Sequence, residues 1–228
     1  MVTRTGAGVA LFAATLLAST LLGPTPTGAT PAPSHHDRAV TVRLRAAVAD
    51  LEVRRERRDG YDRDLFDHWI DADGDCRDTR DEVLAQESRI PVGAGCDVTE
   101  GEWFSYYDRE TWTESGDVDI DHLVPLAEAW DSGARGWNTD TRRRYANDLR
   151  EGRSLVGVTD NVNQSKGDQD VTEWLPTYRR CRYIAEWVVV KTRWSLKVDR
   201  AEKRRLKELA ADCRNVELTI RIAPVVPG

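Results

Sequence analysis

A carboxylate stands directly beside a histidine in the run Asp117-Val118-Asp119-Ile120-Asp121-His122-Leu123-Val124-Pro125-Leu126. Downstream come Asn147, then Asn163 with Lys166 three residues on. These residue types suit hydrolysis of a phosphodiester. That reaction needs an activated water, neutralisation of charge at phosphorus and help for the leaving oxygen, and a metal can supply the last two. A histidine titrates near neutral pH and can accept a proton there, so His122 is the candidate general base. Asp121 is a hard oxygen ligand of the kind Mg²⁺ takes. Asn163 offers a second oxygen, with Asn161 as the alternative register. Asn147 is placed to hold the strands by side-chain hydrogen bonds. Lys166 either contacts a phosphate or sits on a helix surface.

The elements that must position these groups follow from periodicity. Residues 118–126 alternate like a strand that ends at Pro125. Neighbours on an ideal strand point to opposite faces, so Asp121 and His122 can flank one phosphate only at a distorted strand end. Residues 126–132 start a helix, 139–149 form another with Thr139 or Asp140 as N-cap, 155–158 are a short strand and 160–167 open a further helix. Two longer helices are expected at 181–194 and 199–213, the second capped by Asp199 with Glu202 three positions on. Toward the N-terminus, residues 40–58 have near-helical apolar spacing, and 61–70 form a second short helix with Phe66 and Trp69 inward. Residues 71–117 are loop-rich with one helix near 79–87. The tail 216–228 is a strand or a loose end. His68, beside Trp69, is read as a packed histidine, and most of the eight tryptophans as core.

Arg4 is the only charged side chain in the first 36 residues, Val9 to Leu22 is almost wholly apolar, and Thr27-Gly28-Ala29 is a small-residue site. This pattern predicts a signal peptide over 1–29 followed by a flexible leader over 30–38, and hence a secreted protein with no stable membrane association afterwards. A retained anchor is the alternative. The remaining length, about 195 residues, suits one domain. The four cysteines all lie beyond the leader. In an oxidising compartment an even count reads as disulfides. Three connectivities are possible; Cys76–Cys96 with Cys181–Cys213 closes local loops and is preferred. A zinc site is disfavoured by the wide spacing.

The net charge of −6 argues against a nucleic-acid partner, but its distribution does not: residues 122–228 carry 20 Lys and Arg against 15 Asp and Glu. Arg142-Arg143-Arg144, Arg179-Arg180, Arg182 and Lys203-Arg204-Arg205 can contact phosphates, or else are solvated helix faces.

Residues 119–125 closely resemble the first segment of the HNH nuclease domain of CRISPR effector nucleases, and Asn163-Gln164-Ser165-Lys166 resembles its Asn-x-x-Lys metal segment. With residues 74–84, 124–130, 145–149, 163–168 and 173–176, the chain resembles the secreted HNH endonucleases of actinobacteria across most of 40–213. The resemblance implies an α+β fold: a ββα-metal core over 117–170 in a mainly helical single domain spanning 39–228. It implies an endonuclease with a nucleic-acid substrate, DNA foremost; the chain is read as a monomer. It further implies one divalent ion, Mg with Mn or Ca as alternatives, on Asp121 and Asn163, with His122 as base and Asn147 as the central structural asparagine. Asp78, Arg80 and Glu82 would then lie near the site, Arg80 contacting phosphate. Asn163 stands where the family motif ends in histidine, which weakens any case for zinc.

Asp71, Asp73 and Asp75 with Glu82 match an EF-hand loop except that Cys76 stands where glycine should be. This leaves a calcium site or a disulfide-tied acidic turn, and with it an alternative function: a non-catalytic, calcium-stabilised extracellular binding module. A different metal hydrolase, such as a cell-wall enzyme, would call for more histidines than the two, His68 and His122, that lie beyond the leader.

Overall fold

A computed structural model describes residues 38–228 together with Met1. The expected signal peptide and nearly all of the leader lie outside the described residues. Among those described, no helix is long and apolar enough to cross a membrane.

The part that positions the site is built from three contiguous choices. Strand β4 (Val118–His122) pairs antiparallel with β5 (Leu155–Thr159) in the register Val118↔Thr159 through His122↔Leu155, and α5 (Asp160–Lys166) follows β5 directly. Between the strands run α3 (Leu126–Asp131) and α4 (Thr139–Ala146). Pro125 precedes α3 and lacks an amide proton, which costs nothing at a helix start. The N-cap of α4 is Asn138, whose side chain accepts the Thr141 amide. The expected caps Thr139 and Asp140 lie in the first turn instead, where Asp140 pairs with Arg143 and Arg144.

Helix α2 (Thr79–Glu87) is capped by Asp78, which accepts from the amides of Arg80 and Asp81. It packs on the β4–β5 hairpin through Val83 and Leu84, forming a small core with Val98, Trp103, Val118, Ile120 and Leu155. Gly157 on β5 lies under the Glu87 carboxyl: a Cβ there would come 2.9 Å from Glu87 Oε2, so no larger residue fits without moving it.

Three expectations are corrected. Residues 40–58 are not one helix. β1 (Ala39–Arg43) pairs antiparallel with a C-terminal strand (Glu217–Arg221, β6 in chain order), and the helix α1 spans only Leu44–Asp50. Val40, Thr41 and Val42 are β-branched, and the two valines are half-buried while Thr41 faces out, an alternation that favours a strand once a partner is available. Residues 61–70 hold only a 3-10 turn, Arg63–Leu65, although Phe66 is fully buried as expected. The loop-rich segment contains a hairpin, β2 (Glu100–Phe104) with β3 (Thr111–Glu114), whose glutamates and glycine mask its strand character.

The C-terminal helices α6 (Arg180–Arg193) and α7 (Arg200–Ala211) are joined by Cys181–Cys213, and Cys76–Cys96 closes the loop around α2. Asp199 caps α7 by accepting the Glu202 amide. Five tryptophans (103, 130, 137, 187 and 194) are buried and the other three half-buried, so they serve packing first. The result is a mixed fold of helices and small antiparallel sheets.

Candidate active site

Alternation along β4 decides which face each side chain takes. Val118 and Ile120 enter the small core with α2. Asp119 and Asp121 take the opposite face and meet α5, where Asn163 and Lys166 stand one turn apart on one side. The contacts form two rungs. Asn163 Nδ2 donates to Asp119 Oδ2 at 3.1 Å, and Lys166 Nζ donates to Asp121 Oδ1 at 2.7 Å. Asn161 is exposed, and Asn163 is the asparagine of α5 that bonds Asp119.

His122 ends the strand and is 6% exposed. Its Nε2 lies 2.8 Å from the Ala146 carbonyl. A carbonyl can only accept, so Nε2 carries the proton and Nδ1 is left as the basic nitrogen. Trp69 stacks on the ring with centroids 5.3 Å apart, and the His68 ring stands edge-on at 6.3 Å. Trp69 has φ 58°, a left-handed conformation unusual for a bulky residue. Burial pushes the His122 pKa down to about 3 despite the Ala146 bond, so the ring is neutral at pH 7.

Asn147 holds this arrangement together. Its amide nitrogen donates to the carbonyls of Asp67 (2.7 Å) and Arg143 (2.8 Å), and its oxygen accepts the Ile70 amide at 3.3 Å. One side chain thus ties the segment carrying His68 and Trp69 to the end of α4, whose Ala146 fixes His122.

Lys166 and Arg80 both bond groups of the chain itself. Lys166 is neither a surface lysine nor free to contact phosphate: it is fully buried and bonds Asp121 and the His122 carbonyl (3.1 Å). Burial lowers its pKa, and the Asp121 carboxylate opposes that shift. Arg80 donates to the carbonyls of Ser115 (2.9 Å) and Val118 (3.1 Å), so its guanidinium holds the entry to β4. Tyr107, unremarked in the sequence, donates its hydroxyl to Asp121 Oδ2 at 2.6 Å. Burial raises the Asp121 pKa, opposed by Lys166 and Tyr107.

Both Asp121 oxygens therefore already meet donors. Asp119 Oδ1 and Asn163 Oδ1 accept no bond among the described residues, and both side chains are half-buried. This oxygen set fits a hard divalent ion at Asp119 and Asn163. Each Asp121 oxygen accepts a single bond and keeps a second lone pair, so Asp121 can also serve as a ligand, as the resemblance implied, without losing Lys166 or Tyr107. The acidic turn is a different matter. Asp71, Asp73 and Asp75 are exposed, and they accept the amides of Gly74, Cys76, Asp75 and Arg77 in a self-satisfied turn beside Cys76–Cys96.

Next to Asn147 lies a concavity of about 440 Å³ whose walls include Arg143, Arg144, Arg150, Arg193 and Arg221. Arg193 is committed to Asp148, in bonds of 2.6 and 2.8 Å. The other basic clusters are partly tied as well: Arg182 pairs with Glu186, and Lys203 bonds the carbonyls of Ala49 and Leu51.

Residues 81–209 match the family model of the GmrSD restriction endonucleases, C-terminal domain. The chain is also similar to an uncharacterized secreted protein of Arthroderma benhamiae (strain ATCC MYA-4681 / CBS 112371). The two are 47% identical over 158 residues, covering 68% of this chain and 76% of that protein. No solved structure matches the chain.

Proposed function

The chain belongs to the family of the GmrSD restriction endonuclease C-terminal domain, and from that membership we propose that it is a secreted, divalent-metal-dependent endonuclease hydrolysing phosphodiester bonds of nucleic acid, DNA foremost. On this reading β4, β5 and α5 form a ββα-metal core of HNH type. The observation that carries it is the bond of His122: its Nε2 is held by the Ala146 carbonyl, leaving Nδ1 as a base at the end of the strand that carries Asp119 and Asp121.

Asn163, Asp119 and Asp121 are the side chains whose oxygens would hold the ion, Mg²⁺ foremost. When bound, such an ion supplies charge neutralisation at the phosphate and the leaving oxygen. The chain's own residues do the rest. His122 takes the proton of the attacking water at Nδ1 and delocalises the charge toward Ala146. Asn147 keeps Ala146 and the His68–Trp69 segment in place around the ring. Tyr107 and Lys166 hold Asp121 in position. Arg150 and Arg221, exposed arginines of the neighbouring concavity, supply phosphate contacts, which make binding salt-sensitive. Secretion is supported by the leader pattern, by the two disulfides and by the secreted relative.

The test is direct. Purified protein is incubated with plasmid DNA, with Mg²⁺ or with EDTA. Nicking or linearisation with Mg²⁺ and none with EDTA is expected. Intact DNA, together with intact RNA, under Mg²⁺ and Mn²⁺ would overturn the reading.

A further inference from the structure

A second group of carboxylates shares no residue with the candidate active site. Glu56, Glu128 and Asp131 bring oxygens within 4.8 Å of one another, and so do Glu56, Asp170 and Glu202. They come from four parts of the chain: the extended segment after α1, helix α3, the loop after α5, and α7. Glu128 and Glu202 are buried.

The cations that reach this group do not satisfy it. Lys191 is fully buried and has three protons. It is already shared among Glu128, Ser132 Oγ (2.6 Å), the Lys197 carbonyl (3.0 Å) and Glu202 (3.2 Å). Arg58 donates to Asp131 Oδ2 at 2.7 Å and leans to Asp168 at 3.5 Å. Two oxygens are left over. Glu56 Oε1 and Asp131 Oδ1 are buried with no hydrogen-bond partner, and the Asp131 side chain is only 7% exposed. Buried carboxylate oxygens without a donor are costly, and a bound ion or water satisfies them.

We propose that Glu56, Glu128 and Asp131 hold one divalent cation of calcium's size, with Asp170 and Glu202 as the negative wall behind it, and that this ion clamps the segment after α1 onto α3 and α7. Calcium takes oxygens at about 2.3–2.6 Å, so ligands on one ion stand no more than roughly 5 Å apart, which matches the spacing here. The donors are all carboxylates, with no cysteine or histidine, which selects a hard ion over zinc. The site is independent of the nuclease reading and of the acidic turn at residues 71–75.

Calcium binding is measured by calorimetry on the EDTA-stripped protein, and thermal unfolding is followed with and without CaCl₂. The comparison is wild type against Glu56→Gln, Asp131→Asn, Asn163→Ala and Asp73→Asn. One calcium equivalent that persists in Asn163→Ala and Asp73→Asn is expected to weaken tenfold or more in Glu56→Gln and Asp131→Asn, with loss of the calcium-dependent rise in Tm. Should one of the two cluster variants not fold, the other decides. Three results overturn the site: no calcium binding by wild type, binding unchanged in the cluster variants, or binding lost in Asp73→Asn or Asn163→Ala instead. A Glu56→Gln protein that melts higher than wild type in EDTA while wild type ignores calcium would show that a shared proton, not an ion, satisfies the cluster.

Discussion

The Nζ of Lys166 lies 2.7 Å from Oδ1 of Asp121, with the lysine side chain fully buried and that of Asp121 nearly so. Removing one partner of such a pair strands the other charge in the interior, a loss of about 3–5 kcal/mol. Lys166→Ala is therefore expected to lower the Tm by roughly 6–20 °C, at about 2–4 °C per kcal/mol for a domain of this size. Thermal unfolding checks this. An unchanged Tm with a raised KM for DNA would return Lys166 to the role of a surface phosphate contact.

His122→Ala is expected to cut turnover by about 10²–10⁴-fold, the usual contribution of a positioned base. Circular dichroism should show the fold retained, with the Tm lowered by loss of the buried ring and its stacking on Trp69. Substantial cleavage by the folded variant would remove His122 from the mechanism.

Asn163→Ala and Asp119→Ala are expected to shift the Mg²⁺ concentration for half-maximal cleavage upward at least several-fold, since each removes a hard oxygen from the α5 face of β4. Asn161→Ala, at an exposed position, should leave the titration unchanged. Asp121→Ala should lose activity and stability together, because it strands Lys166. The reverse order for the two asparagines would move the register by two residues.

Glu87 gives a pH dependence with a defined sign. Burial pushes its pKa up to about 7 from an ordinary 4.5, while the Gly157 amide at 2.8 Å opposes the shift. Between those two values the folded chain keeps a proton that the unfolded chain has lost. Stability therefore falls as pH rises from about 4.5 to 7 and levels off above. Melting curves from pH 4.5 to 8 on wild type and Glu87→Gln test this, with a flatter profile expected for the glutamine. Parallel profiles would place the pH dependence elsewhere.

Reduction of the disulfides is expected to lower the Tm without removing a catalytic group. Their sequence separations are 20 and 32 residues, for which the chain-entropy model gives roughly 3–4 kcal/mol each. Non-reducing peptide maps should show Cys76 with Cys96 and Cys181 with Cys213. A cross-linked pair between the two sets would contradict the structure.

What could be read from the sequence was local. The helices near 79–87, 126–132 and 160–167 and the Asp199 cap depend on neighbours within a few residues, and they appear within a residue or two of their expected bounds; the strand expected over 118–126 starts where expected but ends four residues earlier, at His122. Asp121, His122, Asn147, Asn163 and Lys166 could be singled out because their types and order carry the chemistry. Their partners could not. β1 became a strand only because β6, far along the chain, offered an edge; spacing alone fitted a helix. Lys166 turned inward because Asp121 and Tyr107 formed a buried polar network that outweighs the preference of a lysine for water. Arg80 Nη2 donates to backbone carbonyls at the start of β4, contacts its sequence neighbours do not reveal. The tautomer of His122 was set by a carbonyl 24 residues away. Local geometry follows from steric and capping preferences that each residue carries with it, whereas burial, ion pairing and proton placement depend on which distant groups the fold brings within 3 Å.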